Sequence, residues 1–326
     1  MKRITPFATC FAAVICVAAA VATTHALAQD APPAWAYPVN PPDYQASPDD
    51  GTARHVPGSA LTLTLSQVRD RFFAPDWHPD DQPLMPEIVA RGRKPDVSAC
   101  GFCHRANGAG GPENANIAGL PADYIIQQLV DFKSGARKSA VQKRAPTELK
   151  ARLAQHATDA EIAAAAAYYA AIPARSFVKV VETDMVPKTV VIGWHLAPVT
   201  TGEKEPIGAR IIELPEDLEQ FVSRDSRVRF VAHVPSGSIQ KGQQLATAGG
   251  NGKTVQCALC HGPELKGLGA IPGIAGRSPT YIFRQLYDFK HGVRTGQGSE
   301  LMKQSVEKLT MDDMIDLAAY AASLAP

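Results

Sequence analysis

The sequence has almost no net charge with which to hold a partner. Its 33 Lys and Arg face 32 Asp and Glu, a formal charge of +1, without the basic surplus that marks a nucleic-acid-binding chain. Long apolar runs are missing too. The longest begins at Phe11 and continues for roughly 12 residues, short of the roughly 20 that a spanning helix needs. Cysteine and methionine are scarce, six of each, and no methionine occurs between Met85 and Met185. No Ser/His/Asp set, metal-spaced carboxylates or phosphate loop is evident, so the sequence offers no reaction chemistry of those kinds. What remains is ordinary globular composition, 45% hydrophobic and 20% charged, over 326 residues. That length leads us to expect two domains.

The N-terminus reads as a targeting segment. Lys2 and Arg3 precede the apolar stretch Phe11 to Val21, and Ala26-Leu27-Ala28 forms a small-residue cleavage site. Residues 1–28 are therefore expected to be a signal peptide removed on export. Neither Cys10 nor Cys16 stands in a lipobox-like context. Without this segment, 31 bases face 32 acids, a formal charge of −1. No stable membrane span is expected after cleavage, and the expected compartment is the periplasm.

The four remaining cysteines form two identical constellations, Cys100-Gly-Phe-Cys103-His104 and Cys257-Ala-Leu-Cys260-His261. Two thiols three positions apart can each form a thioether to a haem vinyl group, and the adjacent histidine then lies under the macrocycle, able to coordinate iron. A thioredoxin-like pair would need a βαβ setting. A zinc ribbon would place its pairs about 15–20 residues apart, whereas Cys103 and Cys257 are more than 150 apart. The expected cofactors are two covalently bound haem c groups, with His104 and His261 as iron ligands.

The chain is also internally duplicated. His104 and His261 are 157 positions apart, and the offset holds from Ala118 to Arg137, where 11 of 20 residues recur between Ala275 and Arg294. Helices are expected from about Tyr124 to Lys133 and Tyr281 to Lys290, ending at Gly135 and Gly292. Closing helices should begin near Thr158 and Thr310, and early ones lie near Pro86–Gly92 and Ile239–Ala246.

In this order of elements, in the Asp-Phe-Lys-x-Gly-x-Arg segment and in the closing Ala-Ala-Tyr helix, the chain resembles the class I cytochrome c family. The paired copies are similar to the tandem dihaem cytochromes of bacterial periplasms. The resemblance covers about residues 82–173 and 236–326. It implies a mainly α fold of two cytochrome c domains. It also implies a proximal histidine in each copy and a distal methionine ahead of the last helix. In the second copy Met302 stands eight residues before Thr310 and fits that role, while Met311 and Met314 read as core. The first copy departs from the pattern. Lys150 occupies the equivalent position, and about five extra residues near Ser139–Pro146 reduce the offset from 157 to 152. The distal group there is open between Lys150 as a neutral amine, His156, a side chain from elsewhere (Met85, Met185 or His195), and none.

Outside the copies, residues 29–81 are rich in Pro and Asp and read as an extended N-terminal arm, with Trp35, Tyr37 and Trp77 as anchors or a docking patch. Residues 174–235 carry β-branched runs at Phe177–Val181, Thr189–Ile192 and Val228–Val234, and read as a small β-rich insert in which Trp194-His195 is expected to pack, with approach to a haem edge as the alternative. The domain boundaries expected are thus 1–28, 29–81, 82–173, 174–235 and 236–326. Function is expected to be electron carriage between a dehydrogenase and a terminal oxidase or another cytochrome, rather than catalysis. A peroxidase-like dihaem enzyme with an open or unusually ligated first haem, and a haem-bearing subunit of a dehydrogenase complex, are the alternatives.

Overall fold

The computed structural model describes residues 31–326, and the expected signal peptide lies outside them. Six helices come first: α1 (Leu65–Arg69), α2 (Glu87–Ala90), α3 (Cys100–His104), α4 (Ala122–Ser134), α5 (Ala145–His156) and α6 (Asp159–Ala170). Strands β1 (Val178–Glu182), β2 (Met185–Pro187), β3 (Thr189–Ile192), β4 (His195–Pro198), β5 (Lys204–Pro206) and β6 (Ile212–Pro215) follow, then α7 (Leu218–Val222) and β7 (Phe230–Val234). The second copy holds α8 (Ser238–Ala248), α9 (Ala258–His261), α10 (Pro279–Lys290), α11 (Ser299–Val306) and α12 (Met311–Ser323).

Local chemistry explains the helix ends. Thr158 and Thr310 each cap their helix and accept from the amide three residues on, at Glu161 and Asp313. Those acids reach back to the cap amide, so two orphan donors are satisfied reciprocally. Gly135 closes α4 at φ 77° and Gly292 follows α10 at φ 66°, a conformation a Cβ disfavours. Helices α5 and α11 were not foreseen. Each stands a few residues ahead of a closing helix whose capping threonine gives the stronger signal, and that place hid them.

Each copy builds its own core. In the first, Val89, Val97, Ala166 and Tyr169 are buried together; in the second, Phe283, Tyr287, Met314 and Ile315. α8 crosses α12 so closely at Gly242 that an added Cβ would run into the Asp316 carbonyl. The five-residue insertion is used to reach across. Ala140 and Val141 pack on the second core, and the Ala140 amide donates to Asp288 Oδ1 at 3.0 Å.

The segments outside the copies pack against them. Trp35 lies 4.6 Å from Phe283, ring to ring, and the Tyr37 hydroxyl donates to Asp288 Oδ1 at 2.7 Å. Val56, Leu63, Leu65, Val68 and Trp77 form a small cluster of their own. Between the copies, a three-stranded sheet runs in the order β1-β7-β6, with β1 parallel to β7 and β6 antiparallel to it. β2 pairs with β5 and β3 with β4, both antiparallel.

Two outcomes follow for stability. Gly242→Ala should force α8 and α12 apart and cost about 1–3 kcal/mol, measured as a lower denaturant midpoint. Glu161 is held down to about 2 by the hydrogen bond from Arg93, with the Thr158 cap contributing. Its stabilisation is therefore present above the ordinary carboxylate value and lost as the pH falls from about 4.5 toward 2. In urea titrations across that window, Glu161→Gln should flatten the acid side of the stability curve.

Candidate functional site

The two cysteine-histidine motifs form short helices, α3 and α9, each followed by a residue at positive φ. In the second copy that residue is Gly262, at φ 75°, which a glycine adopts freely. In the first it is Arg105, at φ 66°, a strained position for a side chain. Its guanidinium is anchored, with Nε donating to the Gly110 carbonyl at 2.8 Å and Nη1 to the Asp225 carbonyl at 2.6 Å. Tyr169 and Tyr168 donate to the carbonyls of Arg105 and Ala106 at 3.2 and 2.9 Å.

Both histidines are oriented in the same way. His104 Nδ1 lies 2.8 Å from the Ala115 carbonyl and His261 Nδ1 lies 2.8 Å from the Pro272 carbonyl, each 11 residues downstream. A carbonyl only accepts, so Nδ1 carries the proton and Nε2 presents its lone pair. Burial disfavours the imidazolium. It pulls His104 down to about 3, with Lys150 adding to the effect, and it lowers His261 as well. Burial also pushes Cys100 and Cys257 up to about 11.

These groups line one cavity of about 690 Å³ that runs from the first motif to the second. Cys100, Cys103, His104 and Lys150 face it at one end, and Cys257, Cys260, His261 and Met302 at the other. The size and the mostly apolar walls suit large flat organic cofactors, and the free thiols and neutral imidazoles suit covalent haem attachment and iron coordination. The residues fit the group that the motifs imply.

At the first end, Lys150 on α5 brings its Nζ to 3.4 Å from His104 Nε2, and burial lowers its pKa. The other candidates are placed elsewhere. His156 is exposed at the end of α5, and Met185 is exposed on β2. His195 packs on Phe221, 4.4 Å between rings, and Met85 packs beside Ala99 and Phe102. At the second end, Met302 lies on α11 against the second core.

The middle of the cavity holds a feature that sequence reasoning missed. Arg137 and Arg294, equivalent residues of the two copies, lie opposite each other in an isolated antiparallel bridge. Arg137 donates to Gln128 Oε1 at 2.6 Å, to Gln285 Oε1 at 3.0 Å and to the Tyr281 hydroxyl at 2.8 Å. Arg294 donates to the same two amides, at 2.9 Å to Gln285 and 2.8 Å to Gln128. Arg277 adds a bond to the Asn116 carbonyl at 2.7 Å. These partners are neutral, so the seam presents cationic charge to the cavity and suits carboxylate groups. The signal was available: all four residues belong to the repeated positions, but repetition does not say that they meet.

The chain is similar to known proteins. The family model described as Cytochrome c matches residues 89–171 and 239–325. A thiosulfate dehydrogenase electron acceptor of Stutzerimonas stutzeri (strain A1501) is 25% identical over 236 residues, covering 72% of this chain and 82% of the relative. Cytochrome c4 of Azotobacter vinelandii is 24% identical over 234 residues, 70% of this chain and 85% of its own. Among solved structures, the as-isolated thiosulfate dehydrogenase of Marichromatium purpuratum aligns with a TM-score of 0.47 and 27% identity. This chain covers 38% of that protein's length, with 72% of its own aligned. Among the described residues, no helix is long and apolar enough to cross a membrane.

Gln128→Leu removes an acceptor shared by two guanidiniums. We expect a loss of about 1–3 kcal/mol, read from the denaturant midpoint of the intact protein.

Proposed function

Because this chain belongs to the cytochrome c family, with two cytochrome c regions and two covalently bound haem c groups, we propose that it is a periplasmic dihaem electron carrier with unequal sites. In this reading His104 and Lys150 hold the first iron, and His261 and Met302 hold the second. Haem iron, when bound, supplies one-electron exchange between its ferric and ferrous forms.

The observation that carries the reading is the approach of Lys150 Nζ to within 3.4 Å of His104 Nε2. The two nitrogens face each other across the cavity, so both would hold an iron set between them after a small outward movement of the lysine chain. The amine must be neutral to donate a lone pair, and burial favours that form. The same approach argues for a filled first site over the open one that a peroxidase-like enzyme requires. Met302, on the helix equivalent to the one that carries Lys150, supports the sulfur role at the second site.

The protein's own groups do the rest. The Ala115 and Pro272 carbonyls hold each imidazole in the ligating tautomer. The apolar walls exclude water, and Arg137, Arg277 and Arg294 neutralise the haem carboxylates. A nitrogen donor in place of sulfur lowers the first site's potential relative to the second. The redox partners fit a periplasmic dehydrogenase as donor and an oxidase or another cytochrome as acceptor. That a relative is named as an electron acceptor of thiosulfate dehydrogenase supports the donor side.

Lys150→Met tests the assignment. The variant should gain a second sulfur-to-iron charge-transfer band in the oxidised spectrum, and the first site's potential should rise. An unchanged spectrum and potential would remove lysine ligation.

A further inference from the structure

The two attachment helices share their motif but not their cover. Along α3, Gly101 and Phe102 are buried, Phe102 to 4% exposure. Along α9, the equivalent Ala258 and Leu259 face solvent, Leu259 to 68%. Nearby Val255 and Leu268 are exposed as well, at 51% and 57%.

The cover on α3 comes from chain outside the repeats. Ala74 packs on Gly101 so tightly that a Cβ there would come within 2.7 Å of the alanine methyl. The Ala99 amide donates to the Arg71 carbonyl at 2.9 Å. Arg224 lays its guanidinium over the Phe102 ring, 3.6 Å from the centroid. It donates to the carbonyls of Phe102 at 2.9 Å and Val68 at 2.8 Å. The cover is itself fastened. Trp77 Nε1 donates to the Ser223 carbonyl at 2.7 Å, and His78 Nε2 meets Asp225 Oδ1 at 3.0 Å, both pairs buried. A charge-assisted, buried set of this kind holds its geometry far better than exposed contacts do.

We infer that this protein exchanges electrons with its surroundings at the second haem, and that the first haem, capped on its attachment side, is loaded and emptied through it. This rests on the dihaem carrier reading. One electron leaves the external donor and converts the second iron from ferric to ferrous. Because the first site lies at the lower potential, that electron rests on the second iron; the first iron is reduced only when the electron crosses the shared cavity uphill and a further electron from the donor refills the second iron. The molecule so described is a two-electron store with one port, rather than a wire with an opening at each end.

Charge placed beside each site tests the port. Reduced holoprotein is mixed with ferricyanide at low ionic strength, where like charges within about 10 Å or more repel the anion. Leu259→Glu adds one negative charge beside α9. Arg69→Glu changes the charge by two on α1, on the exposed side of the cap over α3 and outside the cavity lining. The expected result is a fall of at least about threefold in the oxidation rate for Leu259→Glu and less than about twofold for Arg69→Glu, with both reduction potentials unchanged. If Arg69→Glu slows oxidation as much as Leu259→Glu, or Leu259→Glu has no effect, the single port is overturned. If ferricyanide does not oxidise the unaltered protein at all, the carrier reading itself falls.

Discussion

Two guanidiniums, the half-buried Arg137 and the buried Arg294, share two amide oxygens, Gln128 and Gln285, and each arginine bonds the glutamine of its own copy and that of the other. Buried cations demand fixed partners, so the two copies can meet only in the register that completes this set. That register makes the two haem cavities one. The inserted residues near Ala140, the Tyr37 hydroxyl and Asp288 reinforce it from the side. The arrangement brings two redox centres together because the residues that join the copies are the residues the duplication repeated.

Within that symmetric frame the two sites have diverged in the residue at the distal position, in cover and in strain. The first carries Lys150 where the second carries Met302. It is enclosed by chain from residues 68–78 and 223–225, while the second attachment helix is bare. Arg105 accepts a positive φ where Gly262 has no side chain to strain, and its guanidinium ties the first motif to Asp225. Each difference points the same way: the first site is enclosed and fastened, and the second is the ordinary one. Under the proposed ligands, a carrier of this kind would hold its electrons at two energies and exchange them on one face.

Much of this was legible in the chain. The capping threonines and the glycine stops are local signals, and each appears in the fold at or near its expected place; the attachment motifs and the duplication, offset by 157 positions, are read from residue order. The unusual first site was also visible, as a lysine aligned with a methionine. Helices α5 and α11 were not visible, because neither has a side-chain cap to announce it and each stands just ahead of a closing helix that does. The cover over α3 was invisible for another reason. Residues 68–78 and 223–225 lie about 150 positions apart, and nothing in either segment names the other.

The covalent chemistry and the pairing of the domains can be read from residue order, because thioether attachment depends on residues three positions apart and duplication is a property of order. Folding was needed to show which of the five candidate side chains faces His104, how the repeated arginines and glutamines meet, and which attachment helix is left open. Those depend on side chains brought together across long stretches of chain, where burial and the need to satisfy every charged group select one arrangement.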